Sequence, residues 1–414
     1  MKIIVVGKGG REHALIQALH DSPGDHELFA YPGSDGMSAL ATCIPEEGLE
    51  GLMRVLQDEG IHLCVIGEEV WLAQGLADRC REAGIPAWGP LREAAQLESS
   101  KIYAKEFMTR HGVPTGGFDV VSSVEEAREK ISGYPTVLKY NGLAAGKGVA
   151  VCTGADMAEA FLDTVFVQKK FGEDQVFIEE FLEGKEVSVI CAVSGDQYVV
   201  FTPARDYKRL EEDDQGPNTG GMGAVASRAL LPPEQMQQID ETVIQPTVAG
   251  LVADGQDYRG FLYFGIILTR SGPQVLEFNC RFGDPEAQAV LPIVGGDFAG
   301  FLHQGAQGKL DESLLGFYDG WSICLVKASR GYPASSSKGD VITGLDQVDE
   351  GRVYHAGTAL NETGAYVTNG GRVLAVACKG ATREEAAERV YAEGAKVDFD
   401  GAQMRSDIGR MHFE

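Results

Sequence analysis

The segment Lys139-Tyr-Asn-Gly-Leu-Ala-Ala-Gly-Lys147-Gly-Val-Ala-Val constrains this chain more than any other. An apolar strand delivers Lys139, a loop of small residues follows, and a second strand begins after Lys147. Glycine and alanine let backbone N–H groups come close to an anion, and the lysines supply point charge. A strand rather than a helix follows the loop, and the GxxxxGK[ST] spacing is absent, so this is not a Walker A site. The pattern suits a hairpin that covers phosphate; the plain alternative is a flexible hairpin with solvated lysines.

The surroundings of that hairpin are mixed. KIIVVG at residues 2–7 is an apolar run ending in glycine, GKGGREHALIQALH turns into a helix pattern, and LCVIG at 63–67 repeats the alternation. Strands alternating with helices predict a parallel, doubly wound sheet over residues 1 to about 95. The stretch from Glu93 to His111 has a helical pattern. Strands at PTVLKY, GVAVC and VFIEEFL, with a helix between them, predict a small α+β unit near 119–190. Further strands fall at EVSVICAVS, QYVVFTP, GFLYFGIIL and PQVLEFN, then at SICLVKA, RVYHAGT and RVLAVACKG. At 414 residues the chain predicts several domains.

A net charge of −25 excludes nucleic-acid binding through a global basic field and gives no attraction to an anionic membrane. Phosphate ligands would need positive charge concentrated in a cleft. The N-terminus enters a strand with no signal-peptide pattern, and no apolar run reaches the length of a membrane span, so a cytoplasmic location is expected. The eight scattered cysteines contain no CxxC pair and predict buried, reduced thiols.

Other motifs add chemistry. Val275-Leu-Glu277-Phe-Asn279-Cys-Arg281-Phe-Gly-Asp284 is an apolar strand whose alternation puts Glu277, Asn279 and Arg281 on one face. Carboxylate and amide oxygens suit Mg²⁺, and Arg281 beside them suits a phosphoryl group in transfer. A salt-bridged edge strand is the alternative, though polar groups on such a strand are costly to bury without a purpose. Val176-Phe-Ile-Glu179-Glu180-Phe-Leu182-Glu-Gly-Lys-Glu186 runs from an apolar strand into an acidic turn, of the kind that lines adenine and ribose or merely lies exposed. Gly216-Pro-Asn218-Thr219-Gly220-Gly-Met-Gly is a donor-rich loop behind the basic run Arg205-Asp-Tyr-Lys208-Arg209. Gly7-Lys8-Gly9-Gly10-Arg11 opens a helix that could meet phosphate. It lacks GxGxxG spacing, which argues against a dinucleotide oxidoreductase.

Taken in this order, GKGGREHAL, AAQLESSK, GLAAGKGV, IEEFLEGKE, GPNTGGMGA, EFNCRFGDPE, HAGT, TNGGRVL and RSDIG resemble the glycinamide ribonucleotide synthetase family of ATP-grasp ligases from end to end. The resemblance implies an α/β architecture: a doubly wound N-terminal domain (1–100), an ATP-grasp body (101–325) with an α+β lid (about 119–190), and a C-terminal mixed α/β domain (326–414). It implies ATP and Mg²⁺ or Mn²⁺ as cofactors. It also implies contacts for ATP from Lys101, Lys139, Gly146, Lys147, Gly148, Glu179, Glu180, Leu182 and Glu186. Glu277 and Asn279 become the metal ligands, and Arg281, Lys139 and Lys147 the catalytic cations. Gly9, Gly10, Asn218, Thr219, Gly220 and Asp284 face the acceptor or glycine. The implied reaction joins glycine to 5-phosphoribosylamine through glycyl phosphate. The implied partners are these small molecules alone, with no nucleic acid or membrane, and a monomer is expected.

The chain departs from the family pattern at Asn141, where aspartate is usual, at Glu68, where proline is usual, and at Arg205 and Tyr207. Asn141 alters the charge beside the phosphate loop. Arg205 and Tyr207 are expected to bear on the acceptor pocket. A divergent ligase for another acid or amine therefore stays as the alternative function.

Overall fold

A computed structural model describes residues 1–142, 148–172 and 175–410. The N-terminal sheet is parallel throughout, with strands in the order Thr42–Cys43, Glu27–Pro32, Lys2–Gly7, Leu63–Ile66, Ala87–Trp88. Ile3, Val5, Leu63 and Val65 point to one face and Ile4, Val6, Cys64 and Ile66 to the other; both faces are buried. Apolar residues on both faces are what a parallel sheet covered on two sides needs. Gly7, at φ +136°, turns the chain from the central strand toward the helix Gly10–His20, and a Cβ there would strike the Glu12 side chain at 2.5 Å.

The helical stretch expected from Glu93 to His111 is broken. Gln96–Ser99 forms one short turn, Ser100 is extended, and a new helix runs Lys101–His111. Ser100 causes the break, because its hydroxyl accepts from Tyr103 N at 3.2 Å and so caps the second helix. Lys101 thereby starts a helix at the cleft instead of lying in the middle of one.

The lid is a four-stranded antiparallel sheet in the order Phe118–Val121, Val176–Glu180, Thr136–Tyr140, Val149–Cys152. It has its own core around Leu138, Leu162, Val176 and Ile178. The body is a nine-stranded antiparallel sheet. From its outer edge inward it runs Gly272–Asn279, Arg259–Thr269, Lys185–Ser194, Ala204–Asp206 and Gly223–Ser227. It then continues through Trp321–Ala328, Arg372–Gly380 and Arg352–His355, while Gln197–Val200 pairs beside Lys185–Ser194. The position 325/326 thus falls inside a strand that is paired on both sides. The helix Arg383–Lys396 packs on the far strands through Ala386, Ala387 and Val390.

All eight cysteines are free thiols; Cys43 is half-buried and the others are buried. Among the described residues, no helix is long and apolar enough to cross a membrane.

Candidate active site

A cleft opens between the helix Lys101–His111, the lid sheet and the edge strand Gly272–Asn279. Lys101, Lys139, Gly148, Glu277, Asn279 and Arg281 all line it. Residues from three separate motifs are therefore brought to one place. Gly146 and Lys147 lie outside the described residues.

The edge strand is not a regular ladder. Gly265 pairs with Glu277 but Ile266 pairs with Val275, so Leu276 is a β-bulge. Val275 and Phe278 are both buried in the same core, which strict alternation would forbid. Beyond the bulge, Glu277 and Asn279 share the cleft face. The Leu276 carbonyl is turned out of the ladder and accepts from Lys139 Nζ at 3.2 Å. On the strand's outer side, Val275 N donates to Pro114 O at 2.8 Å, and the Thr115 hydroxyl donates to Val275 O at 2.7 Å.

Arg281 sits in a chain of alternating charge. Its Nη2 meets Glu98 Oε1 at 2.6 Å and its Nε donates to Glu69 Oε2 at 3.2 Å. Glu98 also accepts from Cys280 N at 2.7 Å, and the Asn279 amide donates to Glu98 Oε1 at 3.1 Å. Arg11 extends the chain, with Glu12 at 2.5 Å and Glu69 at 3.8 Å. Burial opposes ionisation of Glu69, yet Arg281 and Arg11 hold its carboxyl down to about 2. Burial instead pushes the Glu98 carboxyl up, against the pull of Arg281. The guanidinium that faces the cleft is thus oriented by carboxylates of the N-terminal part of the chain.

Below the cleft, Glu179 is buried between two lysines, Lys139 and Lys105. Lys105 also donates to the Thr115 hydroxyl at 2.5 Å and to Gly116 O at 3.3 Å. Burial pushes the Lys105 ammonium down in spite of Glu179, while the two lysines hold Glu179 below the usual carboxylate range against its own burial. Sequence reasoning missed Lys105: it sits in an ordinary helical pattern, and its partner is 74 residues away. Glu180 is exposed at the cleft's end, where its carboxylate accepts from Gly117 N at 3.3 Å; Leu182 packs half-buried beside Gly116.

Glu186 accepts from Lys208 at 2.6 Å, and Lys208 holds it below the usual carboxylate range. Asp206 joins this group. Burial and the carboxylates Glu286, Glu186 and Glu277 push Asp206 up to about 7, against the pull of Lys208. Alternation along this strand decides the fate of two departures. Asp206 and Lys208 face the carboxylates of the site. Tyr207 is buried in the C-terminal core, its hydroxyl accepting from Gly409 N at 3.1 Å between Arg205 and Arg405. Arg205, over the Tyr207 ring and 3.8 Å from Asp214, lies with Tyr207 on the face opposite Asp206 and Lys208.

The other departures are structural neighbours of the site. Asn141 Oδ1 accepts from Ile102 N at 3.0 Å, in the first turn of the Lys101 helix, a role that aspartate would share. Glu68 accepts from Lys8 N at 3.2 Å, placing a carboxylate against the glycine loop.

A second group gathers on the far side of Arg11. Asp284 Oδ2 would lie 3.7 Å from a Cβ on Gly9, and Gln288, which donates to Asp284 Oδ1 at 2.8 Å, crowds Gly10. Burial would raise the Asp284 carboxyl, but Arg372 and Arg11 keep it low. Arg372 ties Asp284 to Gly220, donating to Gly220 O at 2.5 Å. Gly9, Gly10, Gly220 and Asp284 are therefore neighbours. Thr219 is not turned toward them: its hydroxyl donates to Lys208 O at 2.8 Å and accepts from Gly221 N at 2.9 Å. Asn218 is exposed at the end of its hairpin.

A lid sheet facing an antiparallel body across a cleft of lysines, with a carboxylate–amide pair on the edge strand, defines an ATP-grasp ligase. Comparison with known proteins narrows the class. The chain matches the phosphoribosylglycinamide synthetase N domain over residues 1–98, its ATP-grasp (A) domain over 99–287 and its C domain over 322–411. It is 40% identical over 414 residues to a phosphoribosylamine–glycine ligase of Caldanaerobacter subterraneus subsp. tengcongensis, covering 99% of each chain. It is 40% identical over 422 residues to the one of Escherichia coli O157:H7, covering 99% of this chain and 98% of that one. The chain belongs to the phosphoribosylglycinamide synthetase family. A solved phosphoribosylamine–glycine ligase of Thermotoga maritima superposes with a TM-score of 0.86 at 35% identity, over 98% of this chain and 100% of that one. A biotin carboxylase domain of Hydrogenobacter thermophilus, at 19% identity and a TM-score of 0.76 over 97% of this chain and 91% of that one, shares the fold.

Proposed function

We propose that this chain joins glycine to 5-phosphoribosylamine with ATP, through glycyl phosphate, in purine biosynthesis. The observation that carries the reading is the convergence of Lys101, Lys139, Glu277, Asn279 and Arg281 on one cleft. A second wall, built from Gly9, Gly10, Gly220 and Asp284, lies on the far side of Arg11.

Glu277 and Asn279 offer a carboxylate and an amide on the cleft face. That pair suits Mg²⁺ or Mn²⁺, because such a cation takes one or two protein oxygens and completes its shell with phosphates and water. When bound, it would neutralise charge on the nucleotide phosphates. The side chains supply the rest. Lys101, Lys139 and Gly148 hold the phosphates; Gly146 and Lys147, outside the described residues, carry the ATP-binding role that the resemblance implies. Glu180 and Leu182 border the adenine and Glu186 the ribose; Glu179, implied by the resemblance as an adenine contact, instead lies beneath them, its carboxylate buried on Lys139 and Lys105. A glycine carboxylate oxygen attacks the γ-phosphorus as the bond to the ADP oxygen breaks. Arg281, fixed by Glu69 and Glu98, faces the charge that develops on the phosphoryl oxygens. The amine then attacks the carbonyl carbon of glycyl phosphate, phosphate leaves, and the nitrogen gives up a proton. No protein nucleophile takes part.

The test is ADP release with ATP, glycine and phosphoribosylamine generated in situ, each omitted in turn. Release should need all three, and glycine should outcompete alanine, serine and β-alanine. A higher kcat/KM for a rival acid would move the chain to the divergent-ligase reading. Glu277→Ala should lower kcat at least ~100-fold with the fold intact, since metal charge stabilisation is worth several kcal/mol. Near-normal turnover of that variant at saturating Mg²⁺ would remove Glu277 from the metal site.

A further inference from the structure

We propose that Arg372 is a positioning residue for the anionic acceptor, holding the Gly220 loop and Asp284 together as one wall of the acceptor site. The inference rests on the function proposed above. Arg372 opens the strand Arg372–Gly380, at a distance in sequence from every motif of the nucleotide cleft. Its Nη1 donates to Gly220 O at 2.5 Å and to Asp284 O at 2.9 Å, and its Nη2 lies 3.3 Å from Asp284 Oδ2. The guanidinium fork therefore spans two segments that are far apart in the sequence. A planar fork with several donors in fixed directions suits this, and an ammonium does not.

The Gly220 peptide is held from its other side as well, because Gly220 N donates to the Tyr332 hydroxyl at 2.8 Å. The loop's approach is close. A Cβ on Gly220 would lie 3.1 Å from Arg372 Cζ, and one on Gly221 would lie 2.4 Å from Pro285 Cδ. The glycines just before Arg372 serve the same contact. A Cβ on Gly371 would strike the Tyr332 ring at 2.5 Å, and one on Gly370 would meet the Gly357 backbone at 2.9 Å. The run Thr368-Asn-Gly-Gly-Arg372 thus brings a tyrosine and an arginine onto a single peptide. Asp284, the other end of the fork, stands beside Gly9. Backbone donors select a ligand only when their directions are fixed, and here one side chain fixes the loop and the carboxylate together.

Arg372→Gln and Arg372→Lys, made in the full chain, test this. The glutamine variant should raise KM for phosphoribosylamine by at least ~10-fold. Its KM for ATP and for glycine, and its kcat at saturating acceptor, should stay within about two-fold of the unaltered chain. The lysine variant should recover part of the loss, and Tyr332→Phe should shift the acceptor KM in the same direction. An unchanged acceptor KM in Arg372→Gln overturns the proposal. So does a parallel rise in all three KM values with a lowered Tm, which marks a general strut. Failure of the unaltered chain to consume glycine and phosphoribosylamine would instead overturn the proposed function.

Discussion

Glu179 carries one negative charge between two ammonium groups, and all three side chains are withdrawn from water: Lys105 is 3% exposed, Glu179 2% and Lys139 11%. Two lysines thus share a single buried carboxylate, and burial pushes the Lys105 ammonium down. Lys105→Met removes a cation but leaves Glu179 its second partner. Removing one partner of a buried pair costs about 3–5 kcal/mol, and the retained Lys139 should hold the loss to about 1–3 kcal/mol. Glu179 should then draw Lys139 away from the phosphates, raising KM for ATP by roughly 10-fold. Urea unfolding together with ATP titration of the initial rate reads both effects; full stability with unchanged KM would show that Lys105 is peripheral. Of the other two members, Lys139 was singled out in sequence for phosphate, whereas Glu179 was singled out only as an adenine-side contact that the family resemblance implies. Lys105 lies among ordinary helix residues, and its meaning comes from a tertiary contact that no local pattern encodes. The same holds for Glu69; Glu98 lies within AAQLESSK, but nothing in that segment marks it as a partner of Arg281.

At the scale of elements, the edge strand shows where pattern reading stops. Alternation places Glu277 and Asn279 together, and they are together, but the Leu276 bulge decides what else faces the cleft. Nothing in VLEFN distinguishes a bulged register from a regular one, because the bulge is imposed by the neighbouring strand and by Pro114 and Thr115 across the edge. The junction between the helix Gly10–His20 and the strand Arg352–His355 is a second tertiary product. His355 N donates to His13 Nδ1 at 3.0 Å, the two rings stack at 5.7 Å, and His355 Nδ1 meets the Thr358 hydroxyl at 3.0 Å. Burial, with His355 adding to it, pushes His13 down to about 3, and burial pushes His355 down to about 4. Both are neutral in the fold and take protons first when unfolded. Their stability contribution is full above pH ~6.5 and is lost as pH falls toward the folded values, by about 1.4 kcal/mol per pH unit for each histidine. His13→Gln keeps an acceptor for His355 N and removes one of the two titrations. Between pH 7 and pH 5 its unfolding free energy should fall about 2 kcal/mol less than that of the unaltered chain. Parallel pH curves for the two proteins would show that His13 does not titrate on unfolding.

For the whole molecule, the most consequential feature is that the body sheet does not stop at the limit of the ATP-grasp segment. Gly223–Ser227 pairs with Trp321–Ala328, which pairs in turn with Arg372–Gly380. The alternation of strands and helices made the N-terminal domain legible, since its order is local. The sheet crossing was not legible, because pairing between strands roughly 100 residues apart leaves no trace in either one. A chain ending at residue 320 would leave one edge of Gly223–Ser227 unpaired, the other staying on Ala204–Asp206, and would uncover Val225, which is now fully buried in the C-terminal core. We expect such a truncation to aggregate and to show no cooperative unfolding, read by light scattering and by calorimetry; a soluble fragment that still binds ATP would show that the body stands alone. The lid differs, having a core of its own. For inheritance, this means that the nucleotide-gripping and acceptor-holding parts of the molecule are not interchangeable cassettes. A recombination event that replaced the last hundred residues would have to match hydrogen-bond register and strand twist across the seam, and most foreign partners would fail there before any substrate was met.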